Sequence, residues 1–238
     1  TSDADSEWRG LMVYDLDTQS KQKITQGLDW EVEGLQLSAD GTQLAFVINK
    51  NGISELYLYD TARERYEVLP EGVIADMRWH PKALRLALTI NTPQAPADAY
   101  VLDVETMDLQ QWTFSEVGGL DRKGFVKPRL IHYPTFDQVG GKDREIPAFY
   151  YRPEPQDAPM PVLIYIHGGP ESQFRPGFSP AFQYYLKELG VAVLAPNVRG
   201  SSGYGKHYLK LDNGFKREDS VRDIGALLDW IEQQPELD

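Results

Sequence analysis

Pro161-Val162-Leu163-Ile164-Tyr165-Ile166-His167-Gly168-Gly169-Pro170 is the stretch that decides the reading of this chain. The apolar run from Val162 to Ile166 is short enough for a buried parallel strand. It stops at a His-Gly-Gly-Pro turn. In a doubly wound sheet, ligands bind outside the carboxyl ends of the strands. Glycines placed there let a backbone N–H approach a substrate oxygen with no Cβ in the way. One preorganised N–H aimed at a developing oxyanion is worth roughly 3–4 kcal/mol in turnover. His167, Gly168 and Gly169 are therefore the candidate catalytic residues, as the wall of an oxyanion hole. An ordinary turn is the alternative, and the coincidence of strand, His, Gly-Gly and Pro favours the oxyanion reading.

Outward from this stretch the pattern alternates strand and helix. Residues 179–189 place Phe182, Tyr185, Leu186 and Leu189 on one helical face, with Gly190 as the C-cap. Val191-Ala192-Val193-Leu194-Ala195 reads as a second buried strand. Residues 220–233 read as a second helix, with Val221, Ile224, Leu227, Leu228 and Ile231 as its inward stripe and Ser220 with Asp223 as its cap. Such alternation predicts a parallel sheet with helices on its faces. Upstream, 130–134 and 146–151 read as a hairpin, and Gly140 and Gly141 supply its positive-φ turn. Two glycines, mixed charges and Pro128 mark a linker over 121–128.

Residues 8 to about 120 are written differently, in short strands separated by turn residues. They also repeat. Val13-Tyr14-Asp15, Leu58-Tyr59-Asp60 and Val101-Leu102-Asp103 place an Asp at 15, 60 and 103. Between them, the segment beginning at Leu37 aligns with that beginning at Trp79, an offset of 42. A period in the forties with several strands per unit is the signature of propeller blades, because a four-stranded blade cannot bury both faces alone. Two to three blades fit, fewer than the four of the smallest closed propellers, so the array reads as truncated. An irregular antiparallel sandwich is the alternative.

Composition narrows the function classes. Of 238 residues, 41% are hydrophobic and 25% charged, as in an ordinary globular protein. The net charge of −12 argues against a nucleic-acid partner, which needs clustered Lys and Arg. With no cysteine there is no disulfide, thiol nucleophile or cysteine-ligated metal. No apolar run approaches the roughly 20 residues of a membrane helix, so no membrane partner is expected. The reading is of a soluble protein, with cytoplasm and periplasm both open. The start, Thr1-Ser2-Asp3-Ala4-Asp5, reads as a cut end rather than a signal peptide.

Asn197-Val198-Arg199-Gly200-Ser201-Ser202-Gly203-Tyr204-Gly205 is the second constellation. Neither Ser201 nor Ser202 has glycines two residues away on both sides, and no helical pattern follows at once, so neither reads as a nucleophile on a strained elbow. Without Gly-Lys-Ser/Thr it is no phosphate loop. Arg199 could pair bidentately with a carboxylate, either a structural partner or a substrate. His80, His132 and His207 read as structural or surface residues, and no His and carboxylate share metal-site spacing.

Together these motifs resemble the prolyl oligopeptidase family of serine peptidases, on its acylaminoacyl-peptidase and dipeptidyl-peptidase side. The resemblance rests on 167–173, on 197–205, on Leu211-Asp212-Asn213-Gly214 and on 219–224, with 146–153 matching the entry to the catalytic domain. It implies β-propeller blades over 1–120, a linker over 121–128 and the N-terminal part of an α/β-hydrolase domain over 129–238. It further implies short peptide substrates, Ser-His-Asp acyl-enzyme chemistry and no cofactor. In that family the chain order is Ser, Asp, His, so His167 precedes any nucleophile and is no triad member. No Gly-x-Ser-x-Gly occurs in the 238 residues, so the chain is expected to be an internal fragment, inert alone. The remainder of the same protein or a second copy is its expected partner. A carboxylesterase and a non-catalytic peptide-binding propeller remain as alternatives.

Overall fold

The computed structural model describes residues 1–60, 64–67, 71–154, 158–169 and 171–238. The chain forms two compact units, one of residues 1–92, 97–116 and 203–206, the other of 93–96, 117–202 and 207–238.

The first unit opens with an antiparallel pair, β1 (Met12–Tyr14) and β2 (Lys21–Lys23). Next comes a four-stranded antiparallel meander, β3 (Glu31–Leu37), β4 (Gln43–Lys50), β5 (Ile53–Asp60) and β6 (Glu64–Glu67). A second meander repeats it: β7 (Val73–Trp79), β8 (Arg85–Thr92), β9 (Ala95–Asp103) and β10 (Asp108–Gln111). The first three strands of each start 42 residues apart, at 31 and 73, 43 and 85, 53 and 95. Even the register slip repeats, between Val32 and Gly34 and between Ile74 and Asp76.

The turn chemistry explains the recurring aspartates. Asp15 Oδ1 accepts from the amides of Asp17 and Thr18 at 3.0 and 2.7 Å, and Asp103 Oδ1 from those of Glu105 and Thr106 at 3.2 and 3.3 Å. Each closes an Asx turn after a strand. Hydrogen bonds, led by the Thr18 amide at Asp15 and by Arg85 at Asp103, hold both carboxyls below the usual range. Residues 61–63, directly after Asp60, lie outside the described ones.

Side-chain alternation decides the packing. Ala45 and Val47 of β4 join Leu56 and Leu58 against Met77, Leu86, Leu88, Ile90 and Leu102 of the second sheet. Phe46 and Ile48 point to the other face, into a cluster with Leu11 and Val32. The first sheet is thus covered on both faces. In β8, Leu86, Leu88 and Ile90 are buried while Arg85 and Ala87 are exposed, so one face is covered. Full burial of one such aliphatic side chain contributes about 1.5–3 kcal/mol.

The second unit is built on a mixed sheet. After a 3₁₀ turn at Arg122–Gly124, within the expected linker, come β11 (Arg129–Val139) and β12 (Lys142–Tyr151). Gly140 and Gly141, at φ 59° and 78°, form their two-residue turn. Then follow β13 (Val162–Ile164), α1 (Pro180–Glu188), β14 (Ala192–Pro196), the short α2 (Gly205–Leu209) and α3 (Arg217–Glu232). The sheet order is β11-β12-β14-β13, antiparallel except for β13 with β14. Ser179 caps α1 through its hydroxyl, 3.3 Å from the Phe182 amide, and Gly190 at φ 63° ends it. Ile146, Ala148 and Tyr150 of β12 face Leu227 and Ile231 of α3. Tyr151 packs edge-on against Phe182 of α1, with ring centroids 5.4 Å apart. The two helices therefore cover opposite faces of the sheet.

Several expectations need correction. β13 is an edge strand, three residues long and half-buried, because β14 covers only one of its sides. Leu189 is exposed, and the buried face of α1 is completed by Gln183 instead. α3 starts at Arg217, so Ser220 and Asp223 do not cap it. Its inward face is Asp223, Leu227 and Ile231, whereas Val221 and Leu228 are 67% and 51% exposed. A helical turn, α2, does follow the 197–205 loop. Beside β13, Leu237 makes a parallel bridge with Met160 through Met160 N–H to Glu236 O at 2.9 Å and Asp238 N–H to Met160 O at 2.8 Å.

Truncating a residue shared by the two meanders should be costly. Leu88→Ala is expected to destabilise the first unit by about 2–5 kcal/mol, read from its urea midpoint. A loss below about 1 kcal/mol would mean the sheets do not share a packed core.

Candidate active site

The His-Gly-Gly turn leaves the carboxyl end of β13, whose pairing runs one residue on through Tyr165 N–H to Leu194 O at 2.8 Å. Gly169 has φ 142°, and a Cβ there would lie 2.8 Å from Ser172 Cβ and 3.1 Å from the amides of Glu171 and Ser172. Glycine is therefore required by the backbone and by space together. At Gly168 a Cβ would meet nothing within 4 Å, so the approach to the turn is open. Both glycines are exposed, and neither amide donates to another described residue. Pro170 lies outside the described residues. The turn therefore offers two backbone donors at the end of a parallel strand, with room above them.

His167 is held at both ring nitrogens. Nδ1 lies 3.0 Å from Gly168 O and Nε2 3.0 Å from Ser201 Oγ. Ser201 Oγ also lies 2.6 Å from Val198 O, so the hydroxyl bridges that carbonyl and the His167 ring. Ser201 is also fully buried. A hydroxyl that is buried and already donating is no nucleophile. Gly200, at φ 90°, carries the Asp212 carboxylate against its Cα, so a Cβ would overlap it.

Arg199 is 3% exposed and paired with two carboxylates. Its backbone N–H and Nε donate to Asp223 Oδ2 at 3.1 and 2.9 Å, and Nη2 donates to Asp223 Oδ1 at 2.7 Å and to Asp137 Oδ1 at 2.8 Å. Thr135 Oγ1 adds a bond to Asp223 Oδ1 at 2.7 Å, and Arg144 Nε braces Asp137 at 3.0 Å. The Phe136 ring lies under Arg199, 4.3 Å from Cζ, and under Arg222, 3.3 Å from Cζ. Burial pulls the Arg199 pKa down, but the bonds from Asp223 and Asp137 outweigh it and raise it. At Asp137 burial pushes the carboxyl up, and the hydrogen bonds from Arg199 and Arg144 outweigh that and hold it below its usual range.

Of the residues singled out in the sequence, His167, Gly168 and Gly169 lie together at the sheet end. The 197–202 loop comes to them through Ser201, while the Arg199 guanidinium is turned to Asp223 and Asp137. Sequence reasoning missed Asp223, Asp137, Thr135 and the Asn197 side chain. One signal was available: an aspartate within the apolar period of α3 has to be paired if it is buried. His80, His132 and His207 are exposed. Among the described residues no group of three or more His, Asp or Glu could hold a metal ion.

In open α/β sheets the crevice outside the carboxyl ends of the strands is where ligands bind, and the Gly-Gly turn lies at such an end. Residues 176–238 match the sequence profile of the prolyl oligopeptidase family. Prolyl oligopeptidase A of Amanita bisporigera is 25% identical over 196 residues, 79% of this chain and 25% of that protein. Dipeptidyl aminopeptidase BIII of Pseudoxanthomonas mexicana is 40% identical over 78 residues, 33% of this chain and 11% of that one. Among solved structures, puromycin hydrolase superposes with a TM-score of 0.78 at 19% identity, over 98% of this chain and 36% of that one. Acylaminoacyl peptidase of Pyrococcus horikoshii gives 0.71 at 22% identity, over 96% and 34%. The chain is thus similar to proteins of the prolyl oligopeptidase family, as its motif run indicated, and spans about a quarter to a third of the length of these broader matches.

Two predictions concern the buried ion pair. Asp223→Asn leaves Arg199 short of its main charge partner, so the second unit should lose about 3–5 kcal/mol in urea unfolding followed at Trp230. A loss under about 1 kcal/mol would contradict the assigned pairing. The depressed Asp137 pKa means the unfolded chain binds its proton first. Its stabilisation is complete above the unfolded pKa of about 4 and is lost as pH falls through the folded value. Asp137→Asn should therefore flatten the decline of stability below about pH 4. An unaltered decline would assign the acid sensitivity to other groups.

Proposed function

We propose that this chain supplies the oxyanion side of a serine peptidase for short peptides, within a longer polypeptide that carries the Ser, Asp and His. The carrying observation is the pair of exposed amides of Gly168 and Gly169 at the carboxyl end of β13, which have no partner among the described residues. When a serine hydroxyl attacks the scissile carbonyl, its proton passes to the general-base His and negative charge grows on the carbonyl oxygen. An N–H from the 167–169 turn donates to that oxygen, for about 3–4 kcal/mol of transition-state stabilisation. A second donor comes from the residue after the nucleophile, as in the α/β-hydrolase elbow. His167 is a wall of this site, not its base, because its Nε2 is already bonded to the buried Ser201 hydroxyl.

The domain layout proposed with this function follows the same lines. Residues 1–120 are C-terminal blades of a propeller, 121–128 a linker and 129–238 the first part of the hydrolase domain. The parallel bridge of Leu237 with Met160 supports a further strand along the free side of β13, which is where a strand leading to a nucleophile elbow belongs. Arg199 is proposed as a structural residue of the site, since a substrate carboxylate would have to displace Asp223 or Asp137.

A fluorophosphonate probe tests this reading. It should label a longer polypeptide that continues past Asp238 and leave the 238-residue chain unlabelled. The labelled protein should cleave aminoacyl or dipeptidyl anilides in preference to p-nitrophenyl esters. Labelling of the 238-residue chain would overturn the assignment of its role. An unlabelled longer polypeptide would overturn the peptidase reading, and a marked preference for esters would favour a carboxylesterase.

A further inference from the structure

The turn that offers the two amides has no secondary structure of its own, and an oxyanion donor is useful only if it is held still. Hydrogen bonds from residues 197–202 support it. Asn197 is fully buried, and its side-chain amide grips a single residue from both sides: Oδ1 accepts from Phe174 N–H at 2.7 Å and Nδ2 donates to Phe174 O at 3.1 Å. Asn197 itself cannot shift. Its backbone N–H donates to Pro147 O at 2.8 Å, and its carbonyl accepts from Tyr208 Oη at 2.7 Å. Ser202 N–H donates to Ser172 O at 2.9 Å in the middle of the turn. At the head, Ser201 Oγ holds His167 Nε2. The base is closed by ring contacts, with Phe174 stacked on Phe182 at 6.0 Å and edge-on to Tyr165 at 5.7 Å.

These contacts are spread along the turn. Phe174, Ser172 and His167 are each pinned by a different residue of the 197–202 loop. The loop is in turn bolted to α3 by the backbone and side-chain bonds of Arg199 to Asp223. We infer that the 197–202 loop is a cradle for the oxyanion turn, with Asn197 and Ser201 as positioning residues that fix where the Gly168 and Gly169 amides point. Neither touches a reacting atom. Both act through the backbone they hold. The inference deepens the oxyanion reading of 167–169 and rests on it, but its consequences can be read without any turnover.

Amide and imidazole NMR on this chain, or on a longer polypeptide containing it, provides the test. The His167 Nε2 resonance of the wild type should shift in Ser201→Ala, and an unmoved resonance would overturn the bond to Ser201. The amides of Gly168 and Gly169 should show order parameters near the rigid value of about 0.85. Ser201→Ala should drop both below about 0.6 while leaving β12 amides unchanged, and Ser201→Thr, which keeps the hydroxyl, should retain rigidity. Asn197→Ala should speed exchange of the Phe174 amide by about tenfold or more, the scale of one lost hydrogen bond. Unchanged Gly168 and Gly169 order in Ser201→Ala would overturn the inference. So would a uniform loss of order across β12, which would signal general destabilisation instead of positioning. Failure of fluorophosphonate labelling leaves these readouts intact, so the two readings fail separately.

Discussion

Arg199 and Asp223 are held together by three bonds in a region neither can share with water. An unpaired charge at that depth would cost several kcal/mol, so neither partner can leave without the other. The pair joins three pieces of chain that are remote in sequence: the β11 edge through Thr135 and Asp137, the 197–202 loop, and α3. The backbone N–H of Arg199 takes part as well, which fixes the course of the loop and not only one side chain. The second unit hangs on this constraint, because the loop it fixes carries Asn197, Ser201 and Ser202 to the turn that begins at His167.

The two units solve the problem of burial differently. In the first, β4 has aliphatic or aromatic residues at four successive positions, 45 to 48, and both its faces are covered. β8 has the related sequence but alternates, and only one face is covered. Stacked meanders of this kind need no helix and no ion pair inside. The second unit mixes strand directions, so its core is shared between aliphatics under α3 and a set of aromatic rings under α1. The ring set, Tyr151, Tyr165, Phe174 and Phe182, runs up to the base of the His-Gly-Gly turn. Packing and site are therefore continuous.

What was legible in the sequence was what depends on local chemistry. The repeat at 42 survives as strand starts, Asx turns and register slips, because each is set by residues a few positions apart. Gly140, Gly141 and Gly190 announced positive φ and were found there. The Gly-Gly turn after Val162–Ile164 was found at a strand end. What was not legible depended on partners far along the chain. The helical period assigned Val221 and Leu228 to the inward stripe and made Asp223 a cap, but Arg199 and Thr135 turn α3 so that the aspartate faces inward. Arg199 could be read only as a residue in need of a carboxylate, with a structural partner favoured over a substrate and that partner unidentified. The half-exposure of β13 follows from sheet order, which no property of its own residues encodes.

The central claim is that the Gly168–Gly169 turn donates to the oxyanion of an acyl transfer. The most direct measurement is the amide spectrum of these two glycines in a longer polypeptide carrying the nucleophile, before and after it forms a tetrahedral adduct with a peptidyl trifluoromethyl ketone. The account predicts that at least one of the two amide protons moves far downfield and becomes protected from exchange, since it gains a charge-assisted bond to the adduct oxygen. An adduct that forms while both amides keep their free positions and exchange rates would contradict it.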